Sequence, residues 1–299
     1  MAASWSHTVR AQGLGGQPPS RAETLVVGVI SANPRGAFAR TMPIADYVAR
    51  ELRDIGIRGA DVVVAPDLAS MTEMFLAGQI DWLSESVFPA LRLLECNAEI
   101  LARRWKNGVA EYRPLLITRT VGGMSELSQL VGKTIALEDP GSSSGYFAPL
   151  ALLADAGFGF VQVANFDERA PQDKIAYVFA GSEINVATWV ERGFVAAGAL
   201  DSISWNDPSR TLSAIRPNLR ILTEGPPLPR AAELVRANAD ALFKRRLLSI
   251  LLAAHLDPDA RAPLLEFQET QKFDGFDGQA LESLLYAQRI WSAHRSLLL

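Results

Sequence analysis

Three consecutive hydroxyl residues interrupt the chain in Glu138-Asp-Pro-Gly-Ser-Ser-Ser-Gly-Tyr-Phe-Ala-Pro149. Ser142, Ser143 and Ser144 supply O–H donors. A strand that empties into a Ser/Gly turn and then opens a helix leaves several backbone N–H groups unpaired and pointing one way. The positive end of the helix dipole lies behind them, and such a turn binds oxyanions. Serines also cap helices where no ligand is present, so the motif alone leaves both readings open.

The elements that position this turn follow from local pattern. Lys133–Leu137 is β-branched and apolar, entered from Gly132 and closed by a Pro-Gly turn, and reads as a buried strand. A helix is expected from Ser144 to Ala156. From Thr24 the chain alternates strands and helices, which predicts an α/β fold. Strands are expected at Leu25–Ile30, Asp61–Ala65, Gln79–Leu83, Ile100–Trp105 and Tyr112–Thr118, with helices at Met42–Ile55, Leu68–Ala77 and Val87–Glu95. Farther on come a short helix at Ser125–Leu130, a strand at Phe160–Asn165, a helix at Pro171–Phe179 and strands at Ile184–Thr188 and Leu219–Leu222. A Leu/Ala-rich helix follows at Asp240–His255. Strands whose ends empty into short polar turns are what an α/β binding cleft is made from.

Composition excludes several classes. The net charge of −4 argues against a nucleic-acid binder, which needs a clustered basic surface. No apolar run reaches membrane-spanning length. One cysteine, Cys96, and three histidines (His7, His255, His294) leave no disulfide framework, Cys-based zinc site or His-dependent triad to expect. No nucleotide, flavin or metal fingerprint appears, so no cofactor and no enzymatic activity are expected. Met1–Glu23 is rich in Ala, Ser, Gly and Pro and reads equally as a disordered tail or a signal remnant without an intact apolar core.

The ordered set of segments resembles the periplasmic binding proteins of phosphate, phosphite and phosphonate ABC transporters. The pieces are Val26-Val-Gly-Val-Ile30, Ala65-Pro-Asp67, Ala77-Gly-Gln-Ile-Asp81, Tyr112-Arg-Pro-Leu-Leu-Ile117 and Leu130-Val-Gly-Lys-Thr-Ile-Ala136. They continue with Asp139-Pro-Gly-Ser-Ser-Ser-Gly-Tyr146, Val178-Phe-Ala-Gly181, Asn185-Val-Ala-Thr188 and Gly225-Pro-Pro-Leu-Pro229. The resemblance implies a two-lobed α/β fold of the type II, Venus-flytrap kind, with the ligand between the lobes. Lobe 1 is then 24–118 plus 224–299, and lobe 2 is 119–223. It implies an extracytoplasmic solute-binding protein that delivers a small oxyanion to a membrane permease. A sensor of arsenite or another oxyanion, docked on a histidine kinase, and a cofactor-biosynthesis enzyme on the same fold are the alternatives.

By the same resemblance, Ser142, Ser143, Ser144 and Gly145 grip the oxyanion through side chains and backbone N–H groups. Rim residues select the substituent: Ser31 to Arg35, Ser84 to Ser86, Tyr112 and Thr188 to Glu191. Tyr146 and Trp189 suit either the pocket, as apolar bodies with one polar end, or the core. Arg35 offers a guanidinium that matches an oxyanion bidentately. Glu85 departs from the family pattern. Facing a dianion unpaired it would be repulsive by several kcal/mol at an effective dielectric of about 20. It therefore binds a ligand ammonium, accepts protons from a less charged oxyacid, or neutralises Arg35, Arg103 or Arg104. Cys96 is either an ordinary small residue or a soft ligand for arsenite. The second reading strains geometry, because a helix of roughly 16 Å separates it from Glu85.

Overall fold

The computed structural model describes residues 23–207 and 212–297. The Met1–Glu23 tail expected from sequence lies outside these residues except for Glu23. The chain opens with β1 (Thr24–Ile30), α1 (Pro34–Glu51), β2 (Gly59–Ala65), α2 (Leu68–Leu76), β3 (Trp82–Glu85), α3 (Val87–Leu94) and β4 (Ala98–Arg104). Its middle holds β5 (Glu111–Tyr112), β6 (Pro114–Arg119), β7 (Thr134–Leu137), α4 (Ala148–Asp155), β8 (Phe160–Gln162), β9 (Ile175–Phe179) and α5 (Glu183–Arg192). There follow β10 (Ala197–Asp201), α6 (Ser202–Asn206), α7 (Leu212–Ile215), β11 (Leu219–Glu224) and β12 (Leu228–Pro229). The chain closes with β13 (Ala232–Arg236), α8 (Ala241–Ala253), α9 (Arg261–Glu266), β14 (Phe273–Asp274) and α10 (Gly278–His294). No helix among the described residues is long and apolar enough to cross a membrane.

Two compact units result. Unit 1 takes the chain up to Glu85, Arg92–Ala110 and Ala231–Gly275. Its six-stranded sheet runs β14-β4-β13-β3-β1-β2. β1 is parallel to β2 and β3, while β13 and β14 run antiparallel to their neighbours. Trp82 is fully buried and meets Phe267 edge-on at 5.9 Å. Beside it Glu233, also fully buried, accepts the Trp82 indole N–H and the Ser84 hydroxyl, each at 2.6 Å, and pairs with Arg104 at 3.2 Å. A buried carboxylate is tolerable only with such partners.

Unit 2 takes Ser86–Leu91, Glu111–Arg230 and the chain from Phe276 onward. Its sheet runs β11-β6-β10-β7-β9-β8, with β10, β7, β9 and β8 parallel. Every residue of β7 is buried, as a central parallel strand requires. A separate two-stranded ribbon pairs β5 with β12, Leu228 opposite Tyr112.

Several expectations are corrected here. The expected lobe boundary at 118/119 falls instead at 110/111, because β6 is paired on both edges inside the unit 2 sheet. The stretch from Phe276 on belongs to unit 2, where Trp291 of α10 packs on Phe147 at 5.4 Å. The expected strand Tyr112–Thr118 is two strands, β5 and β6, broken at Arg113. Gln79–Leu83 begins without regular structure, and the strand runs Trp82–Glu85. The first helix starts at Pro34 and not Met42, since the Asn33 side chain accepts the Gly36 N–H and Pro34 fits the first turn. The largest correction spans 171–193. The expected helix Pro171–Phe179 is a turn followed by β9, and the expected strand Ile184–Thr188 lies inside α5. Ser182 caps α5 by accepting the Asn185 N–H, and Gly193 ends it in the left-handed region at φ 75°.

Candidate functional site

The serine turn forms where β7 ends. Glu138 donates its backbone N–H to the Gly145 carbonyl at 2.9 Å, closing the loop on itself. Inside it, Asp139 accepts the Gly141 N–H at 2.7 Å. The Ser142 hydroxyl accepts the Gly145 N–H at 2.8 Å and donates to Glu138 Oε2 at 2.7 Å. Ser143–Phe147 then winds as one π-helical turn and runs directly into α4. The backbone N–H groups of Ser143 and Ser144 open this turn, ahead of any helical carbonyl that could accept them. Single π-turns of this kind concentrate at functional sites.

Gly145 is required by space. A Cβ there would lie 2.6 Å from Glu138 Cβ and 2.7 Å from Glu138 Oε2. The glycine thus lets the turn close against the carboxylate that clamps it.

Ser143 and Ser144 are 2% and 5% exposed. The Ser143 hydroxyl donates to Ser86 Oγ at 3.0 Å and accepts the Phe88 N–H at 3.2 Å. Both hydroxyls also lie close enough to the phenol of Tyr112, itself 3% exposed, to favour its ionised form. Burial pushes that phenol up, and the nearby Arg230 charge opposes the shift. The Arg230 guanidinium lies over the Tyr112 ring, 4.6 Å from its centroid.

Three carboxylates border this group. Burial raises Glu138, assisted by the charges of Asp139 and Asp201 and opposed by the Ser142 hydrogen bond and by Arg230. Burial, then the charge of Asp201, pushes Glu183 up to about 7. Glu183 accepts the Ser204 hydroxyl at 2.5 Å and the Asp201 N–H at 3.4 Å. Asp201, 5% exposed, accepts the Ser204 N–H at 2.6 Å. Among the described residues no group of three or more His, Cys, Asp or Glu could hold a metal ion. The arrangement can hold an anion at the hydroxyls and a cation at the carboxylates.

Of the residues singled out from sequence, Ser142, Ser143, Ser144, Gly145, Ser86 and Tyr112 converge in unit 2. Tyr146 is placed in an aromatic cluster instead, against Phe179 at 5.0 Å and Tyr177 at 6.1 Å. Trp189 lies within α5 and meets Phe166 edge-on at 5.0 Å, packed on the unit 2 core. The expected rim at Thr188–Glu191 is therefore a full turn of a helix. Arg35 is exposed in the first turn of α1, Glu85 ends β3, and Cys96 is half-buried in the turn before β4, all in unit 1. Arg103 is held bidentately by Asp274 at 2.9 Å and Arg104 pairs with Glu233, so both arginines have partners other than Glu85.

Sequence reasoning passed over Glu138, Glu183, Asp201 and Arg230. Glu138 stood inside the quoted motif, and Glu183 follows a cap serine. Arg230 directly follows the quoted segment Gly225–Pro229.

Known proteins resemble this chain over most of its length. A family model for the periplasmic substrate-binding protein of phosphonate ABC transporters matches residues 27–281. The protein XAC2383 from Xanthomonas citri, solved bound to ATP, is 30% identical; the match covers 92% of this chain and 98% of that one at a TM-score of 0.86. PhnD1 from Prochlorococcus marinus, in complex with methylphosphonate, is 16% identical, with 90% and 98% coverage and a TM-score of 0.63. A binding-protein component of a phosphonate ABC transporter from Pseudomonas aeruginosa is 17% identical, with 90% and 88% coverage and a TM-score of 0.60. The last two likenesses speak for the fold, that of two-lobed type II periplasmic binding proteins.

Proposed function

Since the chain belongs to the phosphonate-binding family of periplasmic substrate-binding proteins of ABC transporters, we propose that it captures a small phosphonate-type oxyanion on the Ser142–Gly145 turn. The family makes it a solute-binding protein and implies a small anion as ligand, an ABC permease as partner and a place of work outside the cytoplasm. It favours this role over the sensor and enzyme alternatives.

The observation that carries the reading is that the buried residues Ser143, Ser144 and Tyr112 come together. Their hydroxyls, with two turn N–H groups, match the several acceptor oxygens of a phosphonate head. Charge-assisted hydrogen bonds of this kind are about twice as strong as neutral ones. The borders narrow the ligand further. Three carboxylates, Asp201 buried and Glu138 and Glu183 half-buried, disfavour a bare dianion and favour one that brings its own cation, as an aminoalkylphosphonate does. That role for an ammonium partner falls to Glu183 and Asp201, in place of Glu85. A larger phosphoryl ligand is the second reading, on the single ground that the 30% identical XAC2383 was solved with ATP.

A thermal-shift panel separates these readings: methylphosphonate, 2-aminoethylphosphonate, phosphite, phosphate, arsenite and ATP. Ligand at one hundred times Kd stabilises by about 2.7 kcal/mol, which a melting curve resolves. The expected result is a shift with the phosphonates, larger for the amine-bearing one. A shift with ATP alone supports the second reading, and one with arsenite alone, or with none of them, overturns the phosphonate reading.

A further inference from the structure

One buried donor in unit 2 is left unsatisfied among the described residues. Arg230 Nε is buried and has no hydrogen-bond partner. Buried donors are almost always paired, and one left alone costs stability. The residue sits at the end of β12, whose Leu228 pairs with Tyr112 of β5. This registry, stiffened by Pro226, Pro227 and Pro229, lays the guanidinium on the Tyr112 ring at 4.6 Å. The other end of that ring, its phenol, lies beside the Ser143 and Ser144 hydroxyls. The cation's charge reaches both the phenol and the Glu138 carboxyl that clamps the serine turn. A structural arginine in such a place would pair with Glu138, whose carboxyl its charge reaches. Glu138 is instead engaged by Ser142, and Glu183 and Asp201 by Ser204.

We propose that Arg230 is the charged ligand of the bound oxyanion, its guanidinium completing the site that Ser143, Ser144 and Tyr112 begin. The planar fork suits two oxygens of one tetrahedral head, and the ring beneath holds it in place with the ligand absent. Arg230 thereby sets specificity for anionic over neutral oxyacids, which hydroxyls and amides alone would not enforce. The inference rests on the phosphonate reading given above.

The test measures Kd for methylphosphonate and 2-aminoethylphosphonate by calorimetry, with the melting temperature of each ligand-free variant. Arg230→Gln is expected to weaken both ligands about 30-fold or more. Arg230→Lys, keeping charge without the fork, falls between. The ligand-free Arg230→Gln protein melts at or above the wild-type temperature, since an unpaired buried donor is removed. Arg230→Met, which keeps the packing on Tyr112, binds as poorly as Arg230→Gln. An Arg230→Gln affinity within threefold of wild type overturns the assignment, and so does wild-type binding by Arg230→Met, which would make packing the cause. If the wild type itself binds neither phosphonate, the phosphonate reading falls and the assignment falls with it.

Discussion

Adding one methyl group at Gly145 would report how tightly the serine turn is built. The added Cβ would press on Glu138 Cβ at 2.6 Å and on Ser142 Oγ at 2.9 Å, and only separation of the turn from the end of β7 relieves it. Overpacking of this sort costs about 1–3 kcal/mol. Gly145→Ala is therefore expected to lower the melting temperature and to abolish the phosphonate-induced shift together. A variant that melts and binds like wild type would show that the turn has slack the structure does not display. At this scale the sequence was informative wherever chemistry was local. Ser142, Ser143, Ser144 and Gly145 are contiguous, and their hydroxyl and glycine character pointed to a tight, donor-rich turn. Arg230 was not legible, because only the pairing of β12 with β5 brings it to Tyr112 and the serines. Tyr146 and Trp189 stayed open between pocket and core for a related reason. An aromatic side chain carries no sign of which face it presents, and both turned to aromatic neighbours.

The strand–turn–helix at 133–156 was legible because an apolar β-branched run, a Pro-Gly stop and a hydroxyl start each point the same way. The stretch 171–193 was inverted. Ile175–Phe179 is an unbroken apolar run, which periodicity cannot tell from buried helix, and its parallel pairing with β7 decides the matter. The Ser182 and Gly193 caps around α5 were the available signal. The inversion had a consequence, because reading α5 as a strand hid Glu183 at its first position. With a folded-state value of about 7 against an ordinary 4.5, Glu183 binds a proton in the folded protein over a range where the unfolded chain has lost it. Its burial thus costs stability at alkaline pH, and that cost vanishes as pH falls from 7 toward 4.5. Asp201 and Glu138 supply the repulsive charges, and Ser204 is its hydrogen-bond donor. Glu183→Gln should therefore melt higher than wild type at pH 8, with the two curves converging near pH 5. A constant offset between them across that range would remove Glu183 as the titrating group. Loss of the amine-bearing ligand's advantage over methylphosphonate in the same variant would tie the carboxylate to cation recognition.

Over the whole molecule, the α/β class and the family were legible from ordered short segments, while the lobe boundaries were not. The boundaries depend on which sheet each strand joins. β6 and the C-terminal helix were assigned to the wrong unit because neither carries a composition cue for its partner. The corrected division puts the proposed anion ligands, Ser143, Ser144, Tyr112 and Arg230, into unit 2, and leaves Arg35, Glu85 and Cys96 in unit 1. The claim that follows is that the oxyanion is gripped by the serine turn of unit 2. An amide-resolved NMR titration with methylphosphonate tests it most directly. The account predicts that the Ser143 and Ser144 amides and the Arg230 Nε–H undergo the largest shifts, downfield, as hydrogen bonds to the phosphonate form. Largest shifts near Arg35, Glu85 or Cys96, with the serine turn unmoved, would contradict it.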